Sequence, residues 1–323
     1  MRIVVTGAGG NIGRATVARL RAAGADVVAL SLEPVAFPDV VSGVGTANAP
    51  DAHTGVDGGG PSKAAGTAGD PEARDGAGGH VDVVIGSAGD PDVVAAAFDA
   101  PVDAVIHLAA IPAPTLGTGL EVFGGNTRAT FVVLDEAARR GVCRAVLASS
   151  YALLGMPFSP HDLHPPYYPL DEAAPPQIED PYALSKLVDE LTGEMFHRRD
   201  GMDVVALRFP FTGDTDRLAK TAADLRADPA KGARNSWAYL HVDDAAEAAW
   251  LAATVPLTGF HRCFVAAPET FCDTPTEELI ATYHPGVPVR SPIPGRRVPI
   301  DTGVASRLLG FTPSRGTAPS SPR

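Results

Sequence analysis

Arg2-Ile3-Val4-Val5-Thr6-Gly7-Ala8-Gly9-Gly10-Asn11-Ile12-Gly13 joins an apolar run to a glycine-rich turn and the start of a second, longer periodicity. Arg2–Thr6 reads as a buried strand. Asn11–Ala23, with apolar residues at 12, 15, 17, 18 and 20, reads as a helix that Gly24 stops. Between them Gly7, Gly10 and Gly13 stand in the spacing G-x-x-G-x-x-G. Glycines let the backbone turn tightly and approach an anion with no Cβ in the way. The helix that follows aims its free N–H groups and the positive end of its dipole at that anion. At the first strand–helix junction of a chain this arrangement suits a dinucleotide pyrophosphate, with Gly7, Gly10, Asn11, Ile12 and Gly13 around it.

The same rhythm continues outward. Asp26–Leu30, Val81–Ile85, Ala104–Leu108, Arg144–Ala148 and Val204–Arg208 are strand-like. Asp92–Phe98, Thr127–Arg140, Pro181–Phe196 and Asp243–Ala253 are helical. Strands with little polar alternation suit a parallel sheet buried on both faces. Alternating strands and helices imply right-handed crossovers. The expected fold is α/β: a Rossmann-type, doubly wound parallel sheet with a smaller C-terminal substrate-binding lobe. Residues 1–211 form the dinucleotide-binding domain and 212–311 the lobe. Residues 239–253 return to the first domain, and 312–323 form a flexible tail.

Two segments break the pattern. Residues 41–80 hold eleven Gly and eight Ala and no Leu, Ile, Phe, Met, Tyr or Trp. Such a stretch cannot bury enough apolar surface to offset the entropy of ordering it, so 38–80 reads as a disordered, low-complexity insertion. Residues 157–176 hold seven prolines and read as an ordered loop or a flap that shapes a pocket, with His161, His164, Tyr167 and Tyr168 in it. Two histidines without further ligands do not make a metal site, and none is expected.

Composition excludes several classes. The chain has 323 residues, 45% of them hydrophobic, and a formal net charge of −12. No apolar run approaches the roughly 20 residues of a membrane helix, and the charge is wrong for general nucleic-acid binding. Cys143, Cys263 and Cys272 form neither a paired framework nor a CxxC spacing. The N-terminus lacks a signal-peptide pattern, so a cytoplasmic protein acting on a small molecule is expected.

Tyr182-Ala183-Leu184-Ser185-Lys186 sets a phenol and an ammonium at i and i+4 on one helix face. A free phenol, with a pKa of about 10, is a poor base at neutral pH. A neighbouring ammonium favours the phenolate and brings it toward acid–base work, and Lys186 can also hold ribose hydroxyls. Upstream, Ser149-Ser150 ends a strand, where a hydroxyl could bond the substrate oxygen.

Taken in order, Thr6–Gly13, His107-Leu108-Ala109-Ala110, Asn126, Ser149-Ser150, Tyr182–Lys186 and Tyr239-Leu240-His241-Val242-Asp243-Asp244 resemble the extended short-chain dehydrogenases/reductases, the NAD-dependent epimerase/dehydratase family. The resemblance spans the chain except 38–80 and the last dozen residues. It implies Tyr182 as acid–base residue and Lys186 as its partner, both also touching the cofactor. Ser150 rather than Ser149 becomes the substrate-facing hydroxyl, and Asn126 a support for an active-site water or backbone. It adds Leu108, Ala109 and Ala110 to the cofactor set. The implied substrate contacts are Ser150, Tyr151, Pro210 and Trp237. It also implies a homodimer built through Thr127–Arg140 and Ala183–Phe196. His107 reads as a buried strand-end residue, and Asp243 and Asp244 as caps of the following helix.

Departures from the pattern narrow the reaction. Family dehydratases carry Asp-Glu directly after the catalytic hydroxyl residue, and decarboxylases a Glu at the second position. Here these are Tyr151 and Ala152. Epimerases tend to carry a diphosphate-gripping Arg where this chain has Trp237. Ser31 and Ser87 occupy two positions that relatives fill with acids reading the adenosine, and no Lys or Arg occurs between Ala22 and Ser62. The cofactor is therefore NAD or NADP. Three functions stand: an oxidoreductase acting on a carbinol or ketone of a small, sugar-like substrate; a nucleotide-sugar 4-epimerase working by transient oxidation; and a non-enzymatic dinucleotide sensor.

Overall fold

The computed structural model describes residues 1–37, 44–45 and 78–316. In chain order the elements are β1 (Arg2–Thr6), α1 (Asn11–Ala22), β2 (Asp26–Ser31), β3 (Val44–Gly45), β4 (Val81–Ile85), α2 (Pro91–Ala97), β5 (Ala104–His107), α3 (Gly119–Arg139) and β6 (Arg144–Ser150). They continue as α4 (Pro181–Asp200), β7 (Asp203–Phe209), β8 (Phe211–Gly213), α5 (Thr215–Ala227), β9 (Tyr239–His241), α6 (Val242–Thr254), β10 (Phe260–Phe264), α7 (Thr276–Tyr283) and α8 (Gly303–Leu309).

The main sheet is parallel throughout, in the order β10-β7-β6-β5-β1-β2-β4-β3. From β1 the chain winds outward through β2 and β4, then returns to β5 and winds the other way. The order thus reverses between β1 and β5, where the carboxyl ends of the strands open a crevice. Successive side chains alternate between the two faces of the first core. Ile3, Val5, Val27, Ala29 and Ile106 meet α1, α6 and α8 on one face. Val4, Val28, Leu30, Val105 and Leu147 meet α2, α3 and α4 on the other. Burial on both faces is why these strands read as unbroken apolar runs. A stripe of Ala245, Ala248, Ala249 and Ala252 seats α6 against the sheet.

Several boundaries differ from the sequence expectation. The helix expected from Thr127 begins at Gly119, behind a capping box of Thr118 and Glu121. Glycines at 119, 124 and 125 mask the periodicity of its first turns. Residues 260–264, expected in the lobe, form β10 beside β7 in the main sheet. His241, not Asp243 or Asp244, caps α6 by accepting from the Asp243 N–H. Asp244 instead accepts from the backbone of Ser314 and Arg315, which holds the first part of the expected tail. The 38–80 insertion lies outside the described residues apart from 44–45 and 78–80.

A second core lies beyond the sheet, with Tyr168, Leu170, Leu218, Trp237, Phe264, Phe271, Leu279 and Ile300. The proline-rich 157–176 segment is an ordered part of it. Tyr168 and Leu170 form parallel bridges with Val289 and Ile300. The two cores share one buried charge cluster. Glu190 of α4, 0% exposed, accepts from Arg208 Nε at 2.8 Å and Nη2 at 2.8 Å, from Arg262 Nε at 2.9 Å and from the Ser149 hydroxyl at 2.6 Å. Removing one member of such a cluster leaves uncompensated buried charge. Glu190→Gln is expected to cost about 3–5 kcal/mol of unfolding free energy, measured by chemical denaturation. An unchanged midpoint would show that the two guanidiniums find other partners.

Candidate active site

A cavity of about 510 Å³ occupies the crevice at the strand-order reversal. Its floor is the turn after β1. Gly7 has φ +68°, and a Cβ there would lie 2.7 Å from the Ala109 amide nitrogen. The turn after β1 and the turn after β5 therefore touch backbone to backbone. Gly13 serves a different contact: a Cβ on it would meet the Gly7 carbonyl oxygen at 2.2 Å, so it closes α1 onto the loop. No side chain caps the N-terminus of α1, and no acid stands in its first turn. Its N–H groups and dipole are left for an anion.

The cavity wall contains Gly7, Gly10, Ser31, Ser87, Leu108, Ala109, Ala110 and Asn126, all expected from the sequence. Asn11 and Ile12 are the first two residues of α1, and Ile12 packs into the core. Sequence reasoning missed Gly9, Leu32, Pro34, Val35, Gly86 and Gly125, which also line the cavity. Only Gly9 and Gly86 carry a local signal, as glycines at strand ends. A Cβ at Gly9 would stand 2.6 Å from Ser31 Oγ. The groove thus fits a dinucleotide by a backbone-lined floor and by a helix terminus that, among the described residues, no side chain caps.

Beyond Asn126 lie Tyr182 and Lys186, the candidate acid–base pair. Asn126 accepts from the Ile111 N–H at 2.7 Å and donates to the Ile111 carbonyl and to Ser185 Oγ at 3.0 Å. It ties the turn after β5 to α4, one residue before Lys186. Tyr182 lies in the first turn of α4, which Asp180 caps by accepting from the Ala183 N–H. Its ring packs with Ala152, Val122 and Ala183, and meets the Phe158 ring edge-on at 5.8 Å. Lys186 Nζ is 5.9 Å from the Tyr182 ring centroid and 3.1 Å from Asp189 Oδ2. Burial opposes the ammonium, but Asp189, Tyr182 and Glu190 outweigh it and raise the Lys186 pKa above the ordinary lysine value. The pleat of β6 separates its two serines. Ser149 bonds buried Glu190, while Ser150 accepts from the Ala152 N–H at 3.0 Å and stands next to the Tyr182 cluster.

Not every residue expected at the site is turned toward it. Tyr151 is buried, its hydroxyl 2.7 Å from Ser236 Oγ, which is also 2.7 Å from the Tyr168 hydroxyl. Burial pushes the Tyr151 phenol well above its usual range, and Tyr168 adds to the shift. Trp237 is 0% exposed and donates to the Pro229 carbonyl at 2.7 Å. Both side chains are committed to the second core, because the chain turns through left-handed backbone at Ser236 and Trp237. Pro210 is buried just past Phe209, the register partner of Ser150. His161 pairs with Glu179, and His164 with His284.

A family model described as the NAD dependent epimerase/dehydratase family matches residues 3–265. The chain belongs to that family, and is an enzyme of the NAD-dependent epimerase/dehydratase type. Solved structures similar to it include UDP-glucose 4-epimerase from Bifidobacterium longum in complex with NAD+ and UDP, at TM-score 0.64 and 18% identity over 98% of this chain and 95% of that one. MoeE5 in complex with UDP-glucose and NAD matches at 0.62 and 22%, over 98% and 94%. A mutated uronate dehydrogenase matches at 0.58 and 18%, over 98% and 82%. No curated protein matches in sequence.

Two outcomes follow from this geometry. Gly13→Ala drives a methyl group into the Gly7 carbonyl and should weaken NAD(H) and NADP(H) binding by at least about tenfold, read by titration calorimetry. His107 lies between Thr6 Oγ1 at 2.7 Å and Thr130 Oγ1 at 3.1 Å, and burial, aided by Lys186, lowers its pKa to about 3. The unfolded chain takes up a proton near the ordinary value of 6.5 that the folded chain refuses. Stability is therefore full above that pH and falls as pH drops toward about 3. His107→Gln should flatten this loss in pH-dependent thermal melts; an unchanged slope would assign it to other groups.

Proposed function

We propose that the protein is an NAD(P)-dependent oxidoreductase that interconverts a carbinol and a ketone on a small, hydroxylated, sugar-like substrate. The reading is carried by the grouping of Tyr182, Lys186 and Ser150 around Ala152 and α4, beyond Asn126, which lines the cavity. Tyr182 takes the hydroxyl proton during oxidation and returns it during reduction. Lys186 stabilises the phenolate by charge and holds the ribose. Ser150 bonds the substrate oxygen, and Asn126 fixes the backbone that faces both. The bound dinucleotide supplies the hydride acceptor or donor.

A small substrate is favoured over a nucleotide sugar by Trp237. A buried diphosphate needs cationic partners, and the side chain at this position fills the second core instead. The second reading, a UDP-sugar 4-epimerase, rests on the epimerases among the similar structures and on the same acid–base set. The two separate in one assay. Purified protein is mixed with each cofactor and a panel of sugar acids, free sugars and UDP-sugars. A change in nicotinamide absorbance that Tyr182→Phe reduces by at least about a hundredfold supports the oxidoreductase. Flat absorbance with altered sugar stereochemistry supports the epimerase.

The assembly we propose is a homodimer through α3 and α4. Leu120 and Phe131 lie eleven residues apart on α3, and Leu184 and Leu191 seven apart on α4, spacings that return to one helix face. All four are exposed. Leu184→Glu with Leu191→Glu should give a monomer in analytical ultracentrifugation; an unchanged species would move the interface elsewhere. Three free cysteines agree with a reducing, cytoplasmic setting.

A further inference from the structure

We propose that Asp189 is a positioning residue for Lys186: its buried carboxylate is the counter-ion that keeps the ammonium charged and in place behind Tyr182, in a site closed to water. This rests on the reading of Tyr182 and Lys186 as the acid–base pair.

The two side chains are each 3% exposed and meet at 3.1 Å, three residues apart on α4. Along the helix the order is Tyr182, Lys186, Asp189, so the ammonium lies between phenol and carboxylate. Every other titratable group facing Lys186 is neutral or already matched. Glu190, next on the same helix, spends both oxygens on Arg208 from β7, Arg262 from β10 and Ser149 from β6. His107, from β5, is held neutral by its burial and faces Thr6 and Thr130. Asn126, from α3, contributes an uncharged amide through Ser185. Asp189 is left as the acid whose charge is not otherwise balanced. Its second oxygen, Oδ1, is buried and has no hydrogen-bond partner among the described residues. A carboxylate half-satisfied in a buried position is a costly choice for packing alone, and among the described residues its charged contact is the lysine.

The chemistry explains the need. A buried ammonium with no counter-charge gives up its proton readily. The resulting amine neither stabilises a phenolate nor makes charge-assisted bonds to ribose hydroxyls. Asp189 therefore extends, toward alkaline pH, the range over which Lys186 works.

The test is Asp189→Asn in the full chain, with NADH and NADPH as probes and binding followed by calorimetry across pH. Near pH 6 the affinity should stay within about threefold of the parent. By about pH 9 it should fall about tenfold below the parent, as the unpaired lysine loses its proton. Parallel curves for the two proteins would overturn the proposal. A second measurement needs neither cofactor nor turnover. In the parent, Asp189→Asn should lower Tm, because it strands the ammonium. In the Lys186→Met background the same change should raise Tm, because it removes a stranded carboxylate. The same sign in both backgrounds would overturn the proposal. If Asp189→Asn alone fails to fold, the comparison of Lys186→Met with the double variant decides in the same way. Tyr182→Phe is run beside these. If it retains turnover of the substrate found in the absorbance assay, the acid–base reading fails, while the thermal cycle still judges the Asp189–Lys186 pair.

Discussion

The backbone contact between Gly7 and Ala109 is the constraint from which the site follows. It brings the turns after β1 and β5 together at the one place where the strand order reverses, and it tolerates no Cβ at residue 7. A parallel sheet sends every strand end to the same edge, so Ser31, His107 and Ser150 close their strands along one crevice. The helix that leaves the Gly7 turn then presents an uncapped terminus to the same crevice. Groove, open helix terminus and the edge that carries Ser150 are consequences of one close approach.

Helix α4 connects that crevice to the rest of the protein by buried charge. Its first turn carries Tyr182, its second Lys186, and its third Asp189 and Glu190, of which Glu190 gathers Arg208 and Arg262 from two strands. Burying so many charges is tolerated because each finds a partner of opposite sign. The arrangement fixes the helix in rotation as well as in position. Sliding it by one residue would separate Glu190 from both arginines at once, and the phenol would leave the strand end that carries Ser150.

The second core shows how a proline-rich segment can be rigid. Residues 157–176 lack regular hydrogen bonding of their own, yet Tyr168 donates to the Pro288 carbonyl and accepts from the Arg290 N–H, Leu170 donates to the Pro299 carbonyl and accepts from the Asp301 N–H, and both bury their side chains. The Ser236 hydroxyl joins Tyr151 from the catalytic strand's exit to Tyr168 from this segment. The wall opposite Tyr182 is thus built from Phe158 on a segment anchored at both of its faces.

Much of this was legible in the chain itself. Glycine spacing after Arg2–Thr6, the repeated apolar strands and the Tyr182–Lys186 interval are local patterns, and each reports a local physical demand: no Cβ at a tight turn, burial of a strand on both faces, one face of a helix. Those demands determined the fold class and the dinucleotide groove, and marked Tyr182 and Lys186 as the candidate acid–base pair. Glycines at 119, 124 and 125 hid the first turns of α3, because propensity does not register a helix held by its cap and its packing. Placement of 260–264 in the main sheet, of Trp237 and Tyr151 in the second core, and of Asp189 against Lys186 belonged to the tertiary structure alone. Each depends on partners distant in sequence, or on which way a helix face is turned, and no local pattern of residues encodes either.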